Sequence, residues 1–501
     1  MRGIYTPVTK IRRKVFAEVA RFAYEGKDFS EIDKIPYKII PGEIAQYRDS
    51  VFKERAIVGE RIRLAMGLNP RPIDQHAPLH EGMEASAVPE TYYEPPLVNV
   101  MKFACEACPE TAYMVTDNCR GCLAHPCTAV CPVQAVSMVK GKSYIDKEKC
   151  IRCGRCKEAC PYNAIVRYDR PCAKSCGVDA IESDELGRAE INHERCVSCG
   201  MCLVNCPFAA IADKSQIFQL IKAMQSGTKV IAEIAPAFVG QLGPMATPEK
   251  IKPMMKELGF SDVFEVAVGA DMGAYEEAKH FLNDVPEKIP FMATSCCPSW
   301  AAMAKSFFPE IAHCVSTGLT PMVATARMLK KKFPDCKIAF VGPCAAKKLE
   351  AKRRSVRSNV DFVITFEELM GMMVAKGISA DEETPEEAFT DATAAGRGYP
   401  VSGGVAEAII GAIHTQRPDL EIPMERADCL ADCRKMLKAA KAGRRNGYLL
   451  EGMACPGGCI GGAGTLLPTN QAAASVKKYK EKSEKKNAAE SQYVQTEQDN
   501  E

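Results

Sequence analysis

Five cysteines in three short strings of the C-terminal half carry the densest chemistry of this chain. The strings are Thr294-Ser295-Cys296-Cys297-Pro298-Ser299-Trp300, Pro343-Cys344-Ala345-Ala346-Lys347-Lys348 and Glu451-Gly452-Met453-Ala454-Cys455-Pro456-Gly457-Gly458-Cys459-Ile460-Gly461-Gly462. Cys297, Cys344, Cys455 and Cys459 supply four thiolates, the number that one cubane iron–sulfur cluster needs. Cys296 is then a spare thiol, able to carry a proton. Four soft ligands suit iron–sulfur chemistry, although cysteines at such unequal separations would also suit zinc. Gly457, Gly458, Gly461, Gly462 and Gly464 crowd the last string without the Gly-Lys-Ser/Thr ending of a phosphate loop. Close approach of backbone to a bulky cofactor is the expected reason. Taken alone, Lys347-Lys348 would be a solvated charge pair.

A second group of cysteines lies upstream. Cys150-x2-Cys153-x2-Cys156-x3-Cys160-Pro161 and Cys196-x2-Cys199-x2-Cys202-x3-Cys206-Pro207 match the bacterial ferredoxin run, whose fourth cysteine ligates the other cluster. Crossing these two runs gives one cube on Cys150, Cys153, Cys156 and Cys206 and another on Cys196, Cys199, Cys202 and Cys160. Cys119-x2-Cys122-x4-Cys127-x3-Cys131-Pro132 is a looser version, and Cys172-x3-Cys176 repeats half of it with Gly177 in place of proline. The same rule assigns Cys119, Cys122, Cys127 and Cys176 to a third cube, and leaves Cys105, Cys108, Cys131 and Cys172 for a fourth. Zinc or free thiols compete with that fourth cube. Two to four accessory 4Fe–4S clusters are therefore expected, and a row of them makes sense as an electron relay. His125, inside the third run, is a packing or surface residue on this reading.

Composition bounds the setting. The chain has 501 residues, 47% of them hydrophobic, and a formal charge of +2. That length allows two to four domains, and so even a balance gives no electrostatic case for nucleic-acid binding. Twenty-five cysteines in clustered runs argue against a secreted disulfide framework. The start lacks an apolar leader, and no run approaches the length of a membrane span. A cytoplasmic, reducing setting is expected, with no membrane partner.

The elements that must position these residues follow from periodicity. Residues 1–100 read as a helical extension and linker, with helical spacing over 11–25 and 42–67. Residues 101–213 read as a ferredoxin-like, multi-cluster 4Fe–4S domain. Residues 214–467 alternate apolar runs, such as 230–235, 337–341 and 362–365, with helical stretches such as 276–282 and 321–332. That alternation predicts parallel sheets flanked by helices, with the metal-binding cysteines just beyond strand ends, where such folds place ligands. The fold class is thus α+β and α/β, multidomain. Residues 468–501 read as a polar tail with a short, fraying helix. Cys314, Cys336, Cys429 and Cys433 are expected as buried structural thiols.

Over roughly residues 214–467 the three strings closely resemble the active-site signatures of iron-only (FeFe) hydrogenases. The resemblance implies the reaction 2H⁺ + 2e⁻ ⇌ H₂ at a six-iron H-cluster, a cubane joined through one thiolate to a two-iron unit carrying CO, cyanide and a dithiolate with an amine. It implies Cys297, Cys344, Cys455 and Cys459 as cubane ligands, with Cys459 bridging. Lys347 would hydrogen-bond a cyanide, and Met453 would pack against the two-iron unit. Cys296 would pass protons to the amine, with Glu277 and Ser316 farther along the path. A ferredoxin or similar small carrier and dedicated maturation proteins are the implied partners. The chain departs from the usual pattern at His280, Gly342, Met322 and Ala237, and in Gly461-Gly462-Ala463-Gly464. His280 lies three residues after Glu277, on the same face if the stretch is helical, and is a candidate relay because histidine titrates near neutrality. A non-catalytic iron–sulfur assembly relative and a hydrogen sensor of the same fold are the alternatives. No Gly-x-Gly-x-x-Gly is present to suggest direct use of a pyridine nucleotide.

Overall fold

A computed structural model describes residues 5–75, 77–87 and 95–494; the outer ends of the expected N-terminal extension and tail lie outside them. Two parallel sheets organise the C-terminal half. One has four strands in the order Asp262–Glu265, Val230–Ile234, Lys337–Gly342, Phe362–Thr365. Its register pairs Val341 with Ile234 and Gly342 with Thr365. Val230–Ile234 is buried at every position, as a parallel strand covered on both faces must be. Helices Pro248–Leu258, Pro321–Lys332 and Phe366–Lys376 pack on this sheet. The other sheet has three strands, Met292–Ala293, Leu449–Met453 and Met424–Asp428. Each sheet has its own apolar core.

The cysteine-dense region is two small domains, one inside the other. In the inner one, strand Ala112–Val115 pairs antiparallel with Ile165–Tyr168 around the hairpin Val136–Val139/Lys142–Ile145 and the short helices Pro126–Ala129 and Arg155–Ala159. In the outer one, Val98–Val100 pairs antiparallel with Ile211–Asp213 around the hairpin Ile181–Ser183/Ala189–Ile191 and helices Pro171–Lys174 and Met201–Asn205. The inner domain is spliced into the outer between Cys108 and Pro171. Such small units bury little core of their own.

The N-terminal segment is more than an appendage. Helix Pro7–Glu25 buries Val15, Phe16, Val19 and Phe22 in the same core as the four-stranded sheet, and Arg12 pairs with Glu367 at 2.7 Å. The expected helix over 42–67 forms only as Val51–Ala65, capped by Ser50. The buried guanidinium of Arg61 donates to the Ala209 carbonyl, and Ser215 N–H donates to the Leu64 carbonyl at 3.0 Å. This segment therefore brackets the cysteine-dense region against the parallel sheets. The stretch expected as a fraying tail also packs. Helix Thr469–Glu481 buries Ala472, Val476 and Tyr479, and beyond it Ala488 and Val494 are buried. Its apolar residues recur at helical spacing among lysines, so its average polarity concealed a core-facing stripe.

Lys348 ties the parts together. It is 1% exposed, and its ammonium reaches Asp213 at 2.7 Å, Glu368 at 2.9 Å and the Lys214 carbonyl at 2.8 Å. Removing one partner of such a buried network leaves uncompensated charge. Lys348→Met is expected to destabilise the protein by about 3–5 kcal/mol, measured by thermal unfolding; a loss near zero would show that the network is not structural.

Candidate functional site

The three cysteine strings follow three different strands. Cys296 and Cys297 come after Met292–Ala293, Cys344 after Lys337–Gly342, and Cys455 and Cys459 after Leu449–Met453. The fold brings all five thiols, with Lys347 and Met453, to the wall of one apolar cavity. The strings pack on one another through glycine. A β-carbon on Gly462 would lie 2.3 Å from the Pro343 carbonyl oxygen, and one on Gly464 would lie 2.3 Å from Thr365. A β-carbon on Gly452 would enter the ring of Trp300, whose indole N–H is held by the Thr294 carbonyl at 2.8 Å. These glycines make room for neighbouring protein, not only for a cofactor as the sequence reading supposed. Gly342 has a similar role, because the Phe340 ring fills the place where its side chain would stand.

Burial sets the electrostatics. It pushes the Cys344 thiol up to about 11, with Cys297 opposing ionisation further and Lys347 favouring it. Cys297 and Cys459 are raised for the same leading reason. Thiolates in such a place need cationic partners, and a coordinated metal supplies that charge. Among the described residues no group of three or more His, Cys, Asp and Glu side chains is gathered tightly enough to hold a single metal ion. The donor set, four thiols on one wall, fits an iron–sulfur cofactor at Cys297, Cys344, Cys455 and Cys459. Lys347 is 8% exposed and paired with Glu350 at 2.6 Å. Burial opposes its charge, but Glu350 and the Cys344 thiol outweigh that and hold the ammonium above its ordinary range.

A polar group stands at one side of the cavity. Glu277 comes from helix Ala267–Asp284 and is 5% exposed. Burial raises its carboxyl to about 7 against opposing hydrogen bonds from Ser316 and Ser295. Ser295 Oγ lies 3.4 Å from Glu277 Oε1. Cys296 faces the same carboxylate, and burial first, then Glu277, raises its thiol well above the ordinary value. Cys296, Glu277 and Ser316 are therefore gathered. His280 shares the helix but is half-buried, and no hydrogen bond joins it to Glu277 among the described residues. Sequence reasoning missed Tyr399 and Pro400, which line the cavity. It also missed Glu451, whose carboxylate accepts from Gly403 and Ala406 N–H at 2.6 and 2.8 Å. The string Gly398-Tyr399-Pro400-Val401-Ser402-Gly403-Gly404 was the available signal. Met322 and Ala237 make that part of the wall apolar. Cys314, Cys336 and Cys433 are buried and Cys429 is partly buried.

The accessory thiols group differently from the expected pairing. Cys105, Cys108, Cys172 and Cys206 line one small cavity. Cys176, Cys196, Cys199 and Cys202 oppose one another's ionisation. Cys127, Cys131, Cys150, Cys156 and Cys160 share the core of the inner domain. Applied within the inner domain, the crossing rule would assign Cys131 to Cys150, Cys153 and Cys156, and Cys160 to Cys119, Cys122 and Cys127. Cys206 and Cys176 cross in the outer domain. The run Cys105-x2-Cys108 resumes at Cys172-x3-Cys176 after the splice, and backbone geometry confirms that it is one run. Each of the four runs has a left-handed residue two places after its first cysteine, at Ala107, Gly121, Arg152 and Ser198. Each has another three places after its last, at Gln134, Asn163, Asp179 and Ala209. Such corners turn backbone N–H groups inward, and Ala135, Ala164 and Ala180 N–H lie 3.2, 3.4 and 3.2 Å from the sulfurs of Cys131, Cys160 and Cys176. Gly177 replaces proline because a β-carbon there would sit 2.6 Å from that of Leu430, at the start of helix Leu430–Lys441. His125 is a left-handed corner before Pro126–Ala129.

Comparison with known proteins agrees with this layout. Residues 228–463 match the iron-only hydrogenase large subunit, C-terminal domain; residues 143–166 match a 4Fe–4S binding domain, and 166–217 an LdpA Fe–S cluster-binding domain. The chain binds iron–sulfur clusters. It is 30% identical over 370 residues to iron hydrogenase 1 of Clostridium pasteurianum, covering 64% of each chain. It is 29% identical over 279 residues to cytosolic iron–sulfur assembly component 3 of Bos taurus, covering 45% of this chain and 58% of that one. The chain thus spans less than two thirds of the length of these relatives. A solved FeFe hydrogenase of Chlamydomonas reinhardtii aligns with a TM-score of 0.46 at 24% identity, over 54% of this chain and 89% of that one. No helix among the described residues is long and apolar enough to cross a membrane.

Two outcomes follow. A carboxyl whose value rises from 4.5 unfolded to about 7 folded costs stability as pH climbs through that window. Glu277→Gln should therefore gain on the wild type between pH 4.5 and 7, by roughly 3 kcal/mol above it; parallel stability–pH curves would refute the raised value. In the outer domain, Cys108→Ser and Cys206→Ser should remove the same electron-paramagnetic signal, because the two thiols hold one cluster. Loss of two different signals would restore the other pairing.

Proposed function

Because this chain is a divergent iron-only hydrogenase-like protein, we propose that it interconverts protons and H₂ at the cavity between the two sheets. Electrons would reach the site through the accessory clusters from a ferredoxin or similar small carrier. When bound, the six-iron cofactor supplies the iron-centred redox chemistry and the basic amine of the reaction. Cys297, Cys344, Cys455 and Cys459 would hold its cubane, with Cys459 shared. Lys347 presents a desolvated ammonium, suited to an anionic cyanide ligand, and Met453 closes the apolar wall. Maturation proteins would insert the two-iron unit, and a cytoplasmic setting suits thiol ligands.

The observation that carries this reading is the gathering of Cys296, Glu277, Ser295 and Ser316 beside the cavity. A scaffold that only stores or passes on clusters needs no such group. The Cys296 thiol stays protonated and can donate. Glu277, near 7, is neutral and ionised in comparable amounts at neutral pH, which suits a group that must both accept and release a proton. Ser316 and Ser295 hold its carboxylate in place. His280, one helical turn farther on the same helix, is the next station toward solvent in this scheme.

The non-catalytic reading draws on the assembly-component relatives, and one pair of variants separates the two. After maturation, Cys296→Ala should keep its iron while hydrogen evolution falls by about 10²–10⁴-fold, the size of a lost proton-transfer group. Cys297→Ala should lose iron, because it removes a ligand. Near-normal evolution by the Cys296 variant would overturn the relay, and a matured wild type that evolves no hydrogen would favour the assembly reading.

A further inference from the structure

The four thiol groups lie in an order that leads away from the catalytic cavity. Cys199 lines that cavity, and the backbone beside it touches the catalytic strings: a β-carbon on Gly200 would lie 2.6 Å from that of Ala463 and 3.3 Å from that of Ala345. Ser299 Oγ also donates to the Val197 carbonyl at 2.8 Å. Cys202 of that group in turn faces Cys172 of the second. The segment leaving Cys108 forms a pocket wall with Cys150 and Arg152, which places the third group next. Cys119, Cys122 and Cys127 belong to the group left at the far end of this order, under the hairpin whose Ser143 N–H lies 3.4 Å from the Cys119 sulfur.

That far end has an unusual surface. Residues 111–170 hold ten Lys and Arg against five Asp and Glu, in a chain whose totals are 65 and 63. The inner domain is thus net positive while the remainder is slightly negative. The excess gathers beside Cys119. A β-carbon on Gly121 would lie 2.1 Å from the Gly141 carbonyl oxygen, so the Arg120-Gly121 loop sits against the hairpin tip that carries Lys140 and Lys142. Lys142 pairs with Asp117 at 3.1 Å, whereas Arg120 and Lys140 have no ion-pair partner among the described residues. Apolar side chains stand among these cations: Leu123, next to Cys122, is 97% exposed, and Val139 and Tyr144 are about half exposed. Register puts Val139 opposite Lys142 on the outer face of the hairpin. A small domain gains nothing in folding from a leucine left in water, and apolar residues within a charged rim mark an interaction site.

We propose that this face, formed by Arg120, Leu123, Val139, Lys140, Lys142 and Tyr144, is the docking site of an acidic one-electron carrier protein, and that the spliced-in domain is the electron port. The inference rests on the relay reading above. Cationic side chains steer an acidic partner and fix its approach, the apolar residues exclude water on contact, and the outermost cluster lies directly beneath. At docking one electron leaves the reduced carrier, whose own centre is oxidised by one unit. It enters the outermost cluster, which is reduced by one; no bond forms and no proton moves.

The test is stopped-flow reduction of the oxidised, cluster-loaded protein by a reduced acidic 2[4Fe–4S] ferredoxin, followed by bleaching of the accessory clusters. This reads the port whether or not hydrogen is formed, so failure of the hydrogenase reading would leave it standing. Arg120→Glu/Lys140→Glu should slow the second-order rate about tenfold or more at low ionic strength, and added salt should slow the wild type toward it. Iron content and reduction by dithionite should match the wild type. The distant pair Lys477→Glu/Lys478→Glu should keep the wild-type rate. An unchanged rate in the first variant, or equal slowing in the second, would overturn the proposal.

Discussion

The molecule depends on holding the ends of two separate parallel sheets around one cavity while four thiols that resist ionisation face into it. No single stretch of chain supplies that site. Met292–Ala293 and Leu449–Met453 belong to one sheet and Lys337–Gly342 to the other, so the gap between the sheets sets the width of the cavity. Glycines set that gap by letting backbone touch backbone at Gly462 and Pro343. Lys348 fixes it from behind, gripping the last strand of the cysteine-dense region and the helix after Thr365 at once. The first lysine of the pair serves the cavity and the second serves the fold, though in sequence they looked alike.

Local chemistry was the legible part. Ligand types, the spare thiol, the strands at 230–234, 337–342 and 362–365 and the helix at 321–332 all follow from spacing and periodicity within a few residues of one another. Pairing was less legible, because it depends on which run faces which. Two perfect runs, 150–160 and 196–206, invited pairing with each other, yet each has an imperfect partner. Cys119–Cys131 carries two extra residues, and Cys105–Cys176 is split by a whole domain. The split was masked because the residues that define it are 64 positions apart, from Cys108 to Cys172. The left-handed residues were masked too, since only Gly121 among the eight corners is a glycine. The packing of the N-terminal helix and of 469–494 was hidden by their charged outer faces.

The departures from the familiar pattern now have physical accounts of unequal reach. Gly342 is compensated by Phe340, and Gly177 admits a helix that locks the outer of the two cluster domains to the catalytic half through Arg434, which bonds the Gly177 carbonyl at 3.2 Å and Asp179 at 2.7 Å. Met322 and Ala237 make an apolar stretch of the cavity wall, with the Lys347 ammonium as a charged group on the same lining. Glu277 and Ser316 gather beside Cys296, while Cys199 lines the cavity from the cysteine-dense region.

Whether the cavity holds the six-iron cofactor is the claim from which the rest follows. Infrared spectroscopy of the protein after exposure to hydrogenase maturation proteins addresses it directly, because no amino-acid side chain absorbs where metal-bound CO and cyanide do. The account predicts sharp CO and cyanide bands in the wild type that disappear in Cys459→Ser, the position assigned to the shared thiolate. A fully matured wild type with its cubanes in place and no such bands would contradict it.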